Sequence, residues 1–252
     1  MYDLARFSLK DMTECGAALR KLGDGATSLE ETAGRTVRYL HEHLVDGQSG
    51  EPACVLVRLF KTHPFKGLEP GLKRYAKAIL GDRPAPPTLK CITLMATAGL
   101  RPEWNERGKS TRYKAIPILG EPFAAQLPMF ARLFVQFGLD IGTVLQPPSD
   151  LLVDYREKTY NVFYVPEAIG SPYIPVQEEF VARYGVKSAL GFGALLPSGD
   201  LCAVIMFSRV SVTPDAAEMF RPLALCVKLA LLPFDGKAVF APLPSSRKGV
   251  RA

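Results

Sequence analysis

The stretch KSALGFGALL (187–196), PSGD (197–200) and LCAVIMF (201–207) consists of two apolar runs joined by four turn-forming residues. Pro197 restricts its own φ, Gly199 admits a left-handed one, and Ser198 and Asp200 carry short side chains that bond back to a turn's backbone. Two β-forming runs around such a cluster specify a β-hairpin, so the last two strands of this chain pair antiparallel. Gly191-Phe-Gly193 inside the first run begins like a dinucleotide-binding fingerprint. Leu196 occupies the third glycine position and a strand follows in place of a helix, so the glycines are read as sites of close packing or a bulge.

Working outward, the β-rich runs 53–60, 89–98, 113–118 and 160–165 are further strand candidates, each bounded by Pro or Gly. Helices are expected over 8–22, 28–44, 70–80, 124–137 and 175–184. Over 28–44, Leu29, Ala33, Val37, Leu40 and Leu44 recur at intervals of three or four and form one apolar stripe. Ser28 and Glu31 stand at capping-box spacing before it. A last helix begins at Thr213 with Pro214 in its first turn and runs through Leu231, with Pro222 expected to kink it. Helices before and after a run of strands, with a hairpin joining the last two, describe an α+β layer architecture: an antiparallel sheet covered by terminal helices.

Composition excludes several classes. Hydrophobic residues make up 48% and charged residues 22% of 252 residues, which supports a packed fold over most of the length and neither a disordered nor a fibrous chain. The formal net charge is +6, but basic and acidic residues are interspersed. Only the tail, with Arg247, Lys248 and Arg251, lacks acidic neighbours, and it reads as a solubilising end with too few charges for a membrane or nucleic-acid contact. The N-terminus carries Asp3, Arg6, Lys10 and Asp11 and does not read as a secretory signal. The apolar stretches 201–207 and 223–232 fall short of the roughly 20 residues a spanning helix needs. Five cysteines, Cys15, Cys54, Cys91, Cys202 and Cys226, show neither CxxC spacing nor a companion histidine cluster. A reducing cytoplasmic compartment is expected.

Catalytic signals are sparse. There is no GxSxG elbow, and the three histidines are His41, His43 and His63. His41 and His43, two apart on a helix, point to different faces. His63, where a strand gives way to a loop, is the one haem or metal candidate, and one histidine is not a site. Glu178 and Glu179 are adjacent on one short helix and Asp150 and Asp154 lie in an unassigned segment, so no acid/base division of labour follows. The most suggestive concentration is aromatic and amide-bearing: Trp104 and Asn105 in a polar loop, Tyr160, Asn161 and Tyr164 on a strand, then Glu167, Tyr173 and Gln177. These supply the apolar walls and convergent polar groups of a small-molecule pocket. Tyrosines with one wet end are also ordinary sheet-edge residues.

The stretch KTYNVFYVPEA (158–168), the following GSPYIP (170–175) and LGFG (190–193) resemble the divergent GAF-type input module near the N-terminus of some bacterial sensor histidine kinases. The segments 91–99, 102–105 and 114–117 add to the likeness, which covers 53–234. The resemblance implies a central antiparallel sheet of about six strands with N- and C-terminal helices packed on it, a ligand pocket on one sheet face, and terminal helices that pair in dimers. It divides the chain into N-terminal helices (1–50), a GAF-like sensor domain (51–234) and a flexible basic tail (235–252). No kinase, phosphatase or DNA-binding region follows, so the chain is expected to be a free-standing module or the front of a longer protein. The Asn-Lys-Phe-Asp-Glu signature of cyclic-nucleotide-binding relatives is missing and no cysteine adjoins a histidine as in bilin-attaching ones, which disfavours both ligands and leaves the cofactor unknown.

The expected function is a non-enzymatic signal-sensing or small-molecule-binding module of bacterial two-component signalling, partnered by a small molecule, a second copy and a histidine kinase or other output. Two alternatives stand beside it. One is a ligand-free dimerisation and relay scaffold using the apolar faces of the first, second and last helices. The other is a GAF-fold thiol redox enzyme resembling the free methionine sulfoxide reductases, which would need exposed, acidic cysteines close together.

Overall fold

The computed structural model describes residues 1–120, 127–136 and 162–242. In chain order, β1 (Tyr2–Asp3), α1 (Leu9–Arg20), α2 (Leu29–His43) and β2 (Leu44–Val45) precede the long strand β3 (Cys54–Pro64). There follow α3 (Pro70–Leu80), β4 (Lys90–Gly99), β5 (Ala115–Pro117), α4 (Pro128–Gln136) and β6 (Val162–Val165). The hairpin strands β7 (Ser188–Leu195) and β8 (Leu201–Ser208) and the helices α5 (Pro214–Glu218) and α6 (Arg221–Leu231) complete the series.

Six strands form one sheet in the order β5-β4-β3-β8-β7-β6, with every neighbouring pair antiparallel. The α+β class and the six-stranded sheet with terminal helices are therefore as expected. The hairpin pairs Leu195 with Leu201, and Gly199 takes φ 76° in its turn, the left-handed conformation that glycine adopts without Cβ strain.

Both faces of the sheet are covered. Side chains alternate along a strand, so Val57 and Leu59 of β3 and Val204 and Met206 of β8 point to one face, while Leu56 of β3 and Ile205 and Phe207 of β8 point to the other. On the first face lie α1, α2 and α6. The α2 stripe Leu29, Ala33, Val37 and Leu40 is wholly buried there, and Leu19, Phe192 and Leu223 belong to the same apolar cluster. On the second face Phe130 of α4 meets Phe60 edge-on at 5.1 Å, among apolar side chains from the segments that follow β6. A sheet buried on both sides needs continuous apolar strands, which explains why these runs do not alternate in polarity.

Several local expectations are altered by the surroundings. Thr27 displaces half of the capping box: Ser28 Oγ accepts from Glu31 N at 3.1 Å, but Glu31 Oε2 accepts from Thr27 N at 2.8 Å. The third strand is shorter than 113–118 because Tyr113 sits at φ 61°, outside the extended region. The last helix is two helices, since Pro222, which cannot donate a backbone hydrogen bond, lies in the first turn of a new one, α6, and does not kink a continuous one. Of the helix expected over 124–137, the part 128–136 is seen, and the rest lies outside the described residues.

Candidate functional site

The second face of the sheet holds a cavity of about 310 Å³, at the lower end of the range for small-molecule sites. Its floor is sheet, from Leu56 and Arg58 of β3 and Ile205 and Phe207 of β8. Its walls are aromatic, from Trp104 in a turn after β4, Tyr113 before β5, and Phe180 and Tyr184 before β7.

Trp104 is placed by the backbone beside it. Asn105 folds onto the end of β4: its Oδ1 accepts from Gly99 N at 3.0 Å, and its Nδ2 donates to Gly99 O and Arg101 O, both at 2.9 Å. A Cβ on Gly99 would lie 3.0 Å from the indole and 2.9 Å from Val55 O, so the glycine makes room for this approach. The ring then meets Tyr184 at 4.8 Å and Phe180 at 5.8 Å, both edge-on.

Phe180 comes from a π-helical turn, Gln177–Ala182, a rare geometry that recurs at functional sites. Val176, which starts that turn, has φ 67°. Among the described residues the non-glycine positions with left-handed backbone are Val176 and Tyr113, and both line this cavity. For a β-branched valine that conformation is costly and is held only by its surroundings.

Arg58 dominates the electrostatics. It is the one charged residue of the apolar run 53–60, it reaches the cavity, and burial pulls its guanidinium down to about 10, against the opposing influence of the Tyr113 and Tyr75 hydroxyls. Its Nη2 donates to Ser110 Oγ at a long 3.4 Å, and its buried Nε has no partner among the described residues. At the rim Arg112 and Glu179, both exposed, stand 3.8 Å apart. The described lining includes no histidine, cysteine or lysine.

The eight residues singled out in the sequence are dispersed. Trp104 lines the cavity, and Asn105 fixes the turn that carries it. Tyr173 packs beside the cavity against Phe163 at 6.3 Å, with the Arg132 guanidinium 5.9 Å from its ring. Gln177 binds its own loop, accepting from Gly170 N at 2.8 Å and donating to Ile174 O at 2.7 Å. Tyr164 turns to the helix-covered face, where its hydroxyl donates to Val212 O. Glu167 is exposed. Tyr160 and Asn161, like Asp150 and Asp154, lie outside the described residues. Sequence reading missed Arg58, and the available signal was the single charge in the otherwise apolar run 53–60.

A second hollow at the other end of β3 contains His63, Lys61, Lys90 and Asp200. His63 is buried with both ring nitrogens unpartnered, and no group of three or more His, Cys, Asp or Glu able to hold a metal occurs among the described residues. All five cysteines are free and buried. Burial pushes the thiols of Cys15, Cys54 and Cys91 up to about 12 and that of Cys202 up to about 11, with Cys226 also raised. No described helix is long and apolar enough to cross a membrane.

No protein-family model matches the chain, and no curated protein does. Among solved structures it is similar to the GAF domain of a phosphoenolpyruvate-protein phosphotransferase from Coxiella burnetii, at 14% identity and a TM-score of 0.42, over 88% of this chain and 91% of that one. It is similar to the phycoerythrobilin-bound GAF domain of a cyanobacterial phytochrome, at 12% identity and a TM-score of 0.39, over 87% and 93% of the two chains. A third is the chromophore-binding domain of a bacteriophytochrome from R. palustris, at 9% identity and a TM-score of 0.40, over 88% and 61%.

Proposed function

We propose that this chain is a GAF-like regulatory module that binds a small molecule between its sheet and the covering loops and passes the binding state to a signalling partner such as a histidine kinase. The observation that carries this reading is the cavity itself, walled by Trp104, Tyr113, Phe180 and Tyr184, with its two left-handed non-glycine residues on the lining. Strain of that kind persists where the surroundings hold a site ready for an occupant. Trp104 is the ligand contact carried over from the sequence reading, and Asn105 and Gln177 act as supports for the walls. A ligand that binds only the folded state raises the melting temperature by mass action. The test is a thermal-shift screen over a metabolite library, preceded by native mass spectrometry and an absorption spectrum of the freshly purified protein. No retained molecule and no shift at saturating concentration would end the proposal.

A homodimer is the second part of the reading, and α6 is the helix that supports it. The α2 stripe is spent on the sheet, whereas Leu225 and Leu229, one turn apart on α6, are each 42% exposed. An isologous contact would cover them. Sedimentation of a monomer at high concentration would remove this part and leave ligand binding untouched.

A further inference from the structure

We infer that the cavity takes a small organic anion, a carboxylate or phosphate ester on a flat apolar body, with Arg58 as the residue that grips the anionic group. The inference rests on the small-molecule reading above and specifies its ligand.

Arg58 sits mid-sheet, paired through its backbone to Thr97 of β4 and Ile205 of β8, so its side chain leaves from the cavity floor, partly exposed as a residue but with Nε shut off from solvent. A guanidinium offers five N–H donors in a rigid planar fork. The described residues occupy this fork with one contact, Ser110 Oγ at 3.4 Å, and leave Nε buried and unsatisfied. No carboxylate pairs with it among the described residues, and burial does not discharge it at neutral pH. A desolvated cation without a counter-charge is costly unless something completes it. A carboxylate or phosphate does so bidentately, with two parallel charge-assisted bonds, which a neutral amide cannot reproduce. The exposed Arg112 and Glu179 at the rim largely offset one another, so the interior charge of the described site is that of Arg58. Trp104, Phe180, Tyr184 and Phe207 then provide apolar and π surfaces suited to an aromatic body.

The single tryptophan of the chain is Trp104, so intrinsic emission reports occupancy of this cavity. The experiment titrates the full chain with benzoate, phenyl phosphate and the neutral isostere benzamide, following Trp104 emission and heat of binding, and repeats the series with Arg58→Met and Arg58→Lys. At least one anion should bind about tenfold or more tighter than benzamide to the unaltered protein, since losing one partner of a buried charged bond exceeds about 1.4 kcal/mol. Arg58→Met should abolish that preference while leaving benzamide affinity in place, and Arg58→Lys should restore part of it. The better of the two anions distinguishes a carboxylate from a phosphate ligand. Equal binding of benzoate, phenyl phosphate and benzamide to the unaltered protein would overturn the anion inference and leave the cavity reading standing. Failure of all three to bind would also overturn the anion inference, while the cavity reading would stand or fall with the metabolite screen. The comparison of anion with isostere needs no variant, so it decides the matter even if Arg58→Met does not fold.

Discussion

The carboxylate of Asp200 accepts a hydrogen bond from the ammonium of Lys61, a residue 139 positions earlier, and the two side chains are only 8% and 1% exposed. A second ammonium, that of Lys90, reaches the other carboxylate oxygen at 3.0 Å. Leu201 N donates to Thr62 Oγ1 at 2.8 Å beside them. The hairpin loop is thus tied by its one aspartate to β3 and β4, which the hairpin's own turn chemistry would not achieve.

Replacing Asp200 by Asn leaves two lysines without the charge that offsets them, and the expected loss is about 3–5 kcal/mol at neutral pH. Burial alone would raise the Asp200 carboxyl, but the two lysines outweigh it and hold the group below its ordinary value of 3.8. A carboxyl held low in the folded state contributes its full stability above the unfolded value and loses it as pH falls through the folded one. Urea unfolding should therefore show the gap between the unaltered protein and Asp200→Asn closing in acid, below about pH 4. A gap that is constant with pH would contradict the account.

Gly193 marks a close approach of β7 to β8. A Cβ there would lie 2.1 Å from Cys202 O and 2.8 Å from Ala203 Cα, both backbone atoms that cannot swing aside. Gly193→Ala should cost about 3 kcal/mol, the upper end for overpacking, and depress the urea midpoint accordingly. Gly71 on α3 has nothing within 4 Å of the same position. Gly71→Ala is expected to be neutral or stabilising by up to about 1 kcal/mol, which makes it the control.

These glycines also show how far the order of residues could be read. That Gly191 and Gly193 serve packing was legible, because Leu196 ruled out a phosphate loop, but which neighbour crowds Gly193 depends on strand register. Helix α3 was legible to the residue, since Pro70 and Gly81 punctuate it chemically. The cavity was not, for its parts are distant in the chain: Trp104 meets Tyr184 only because Asn105 and Gly99 let a turn fold back onto β4. Arg58 was passed over because pattern reading asks whether a run is apolar on average. The π-helical turn starts from a left-handed backbone at Val176, which no local preference of valine would suggest.

The cysteines should be silent toward thiol reagents. A thiol pushed up to about 12 is ionised to only about one part in 10⁵ at pH 7, and the thiolate is the attacking species. Labelling of the native protein by a disulfide reagent is expected to follow the rate of unfolding, with all five sites reacting together once urea is added. Rapid labelling of two cysteines without denaturant would contradict this and revive a thiol redox activity.

His63 should make the fold sensitive to mild acid. Burial is the main force holding its imidazole below the ordinary 6.5, Lys61 and Lys90 add to it, and the Gly67 backbone and Asp200 oppose it. The unfolded chain therefore takes up a proton first as pH falls, and stability present above 6.5 declines below it, by at most about 1.4 kcal/mol per pH unit. The ring already lies edge-on to Phe240 at 5.1 Å, a contact a phenyl group can keep, so His63→Phe removes the titration with little change of shape. Urea midpoints between pH 7.5 and 5 should fall for the unaltered protein and stay flatter for His63→Phe. Parallel declines would place the acid sensitivity elsewhere in the chain.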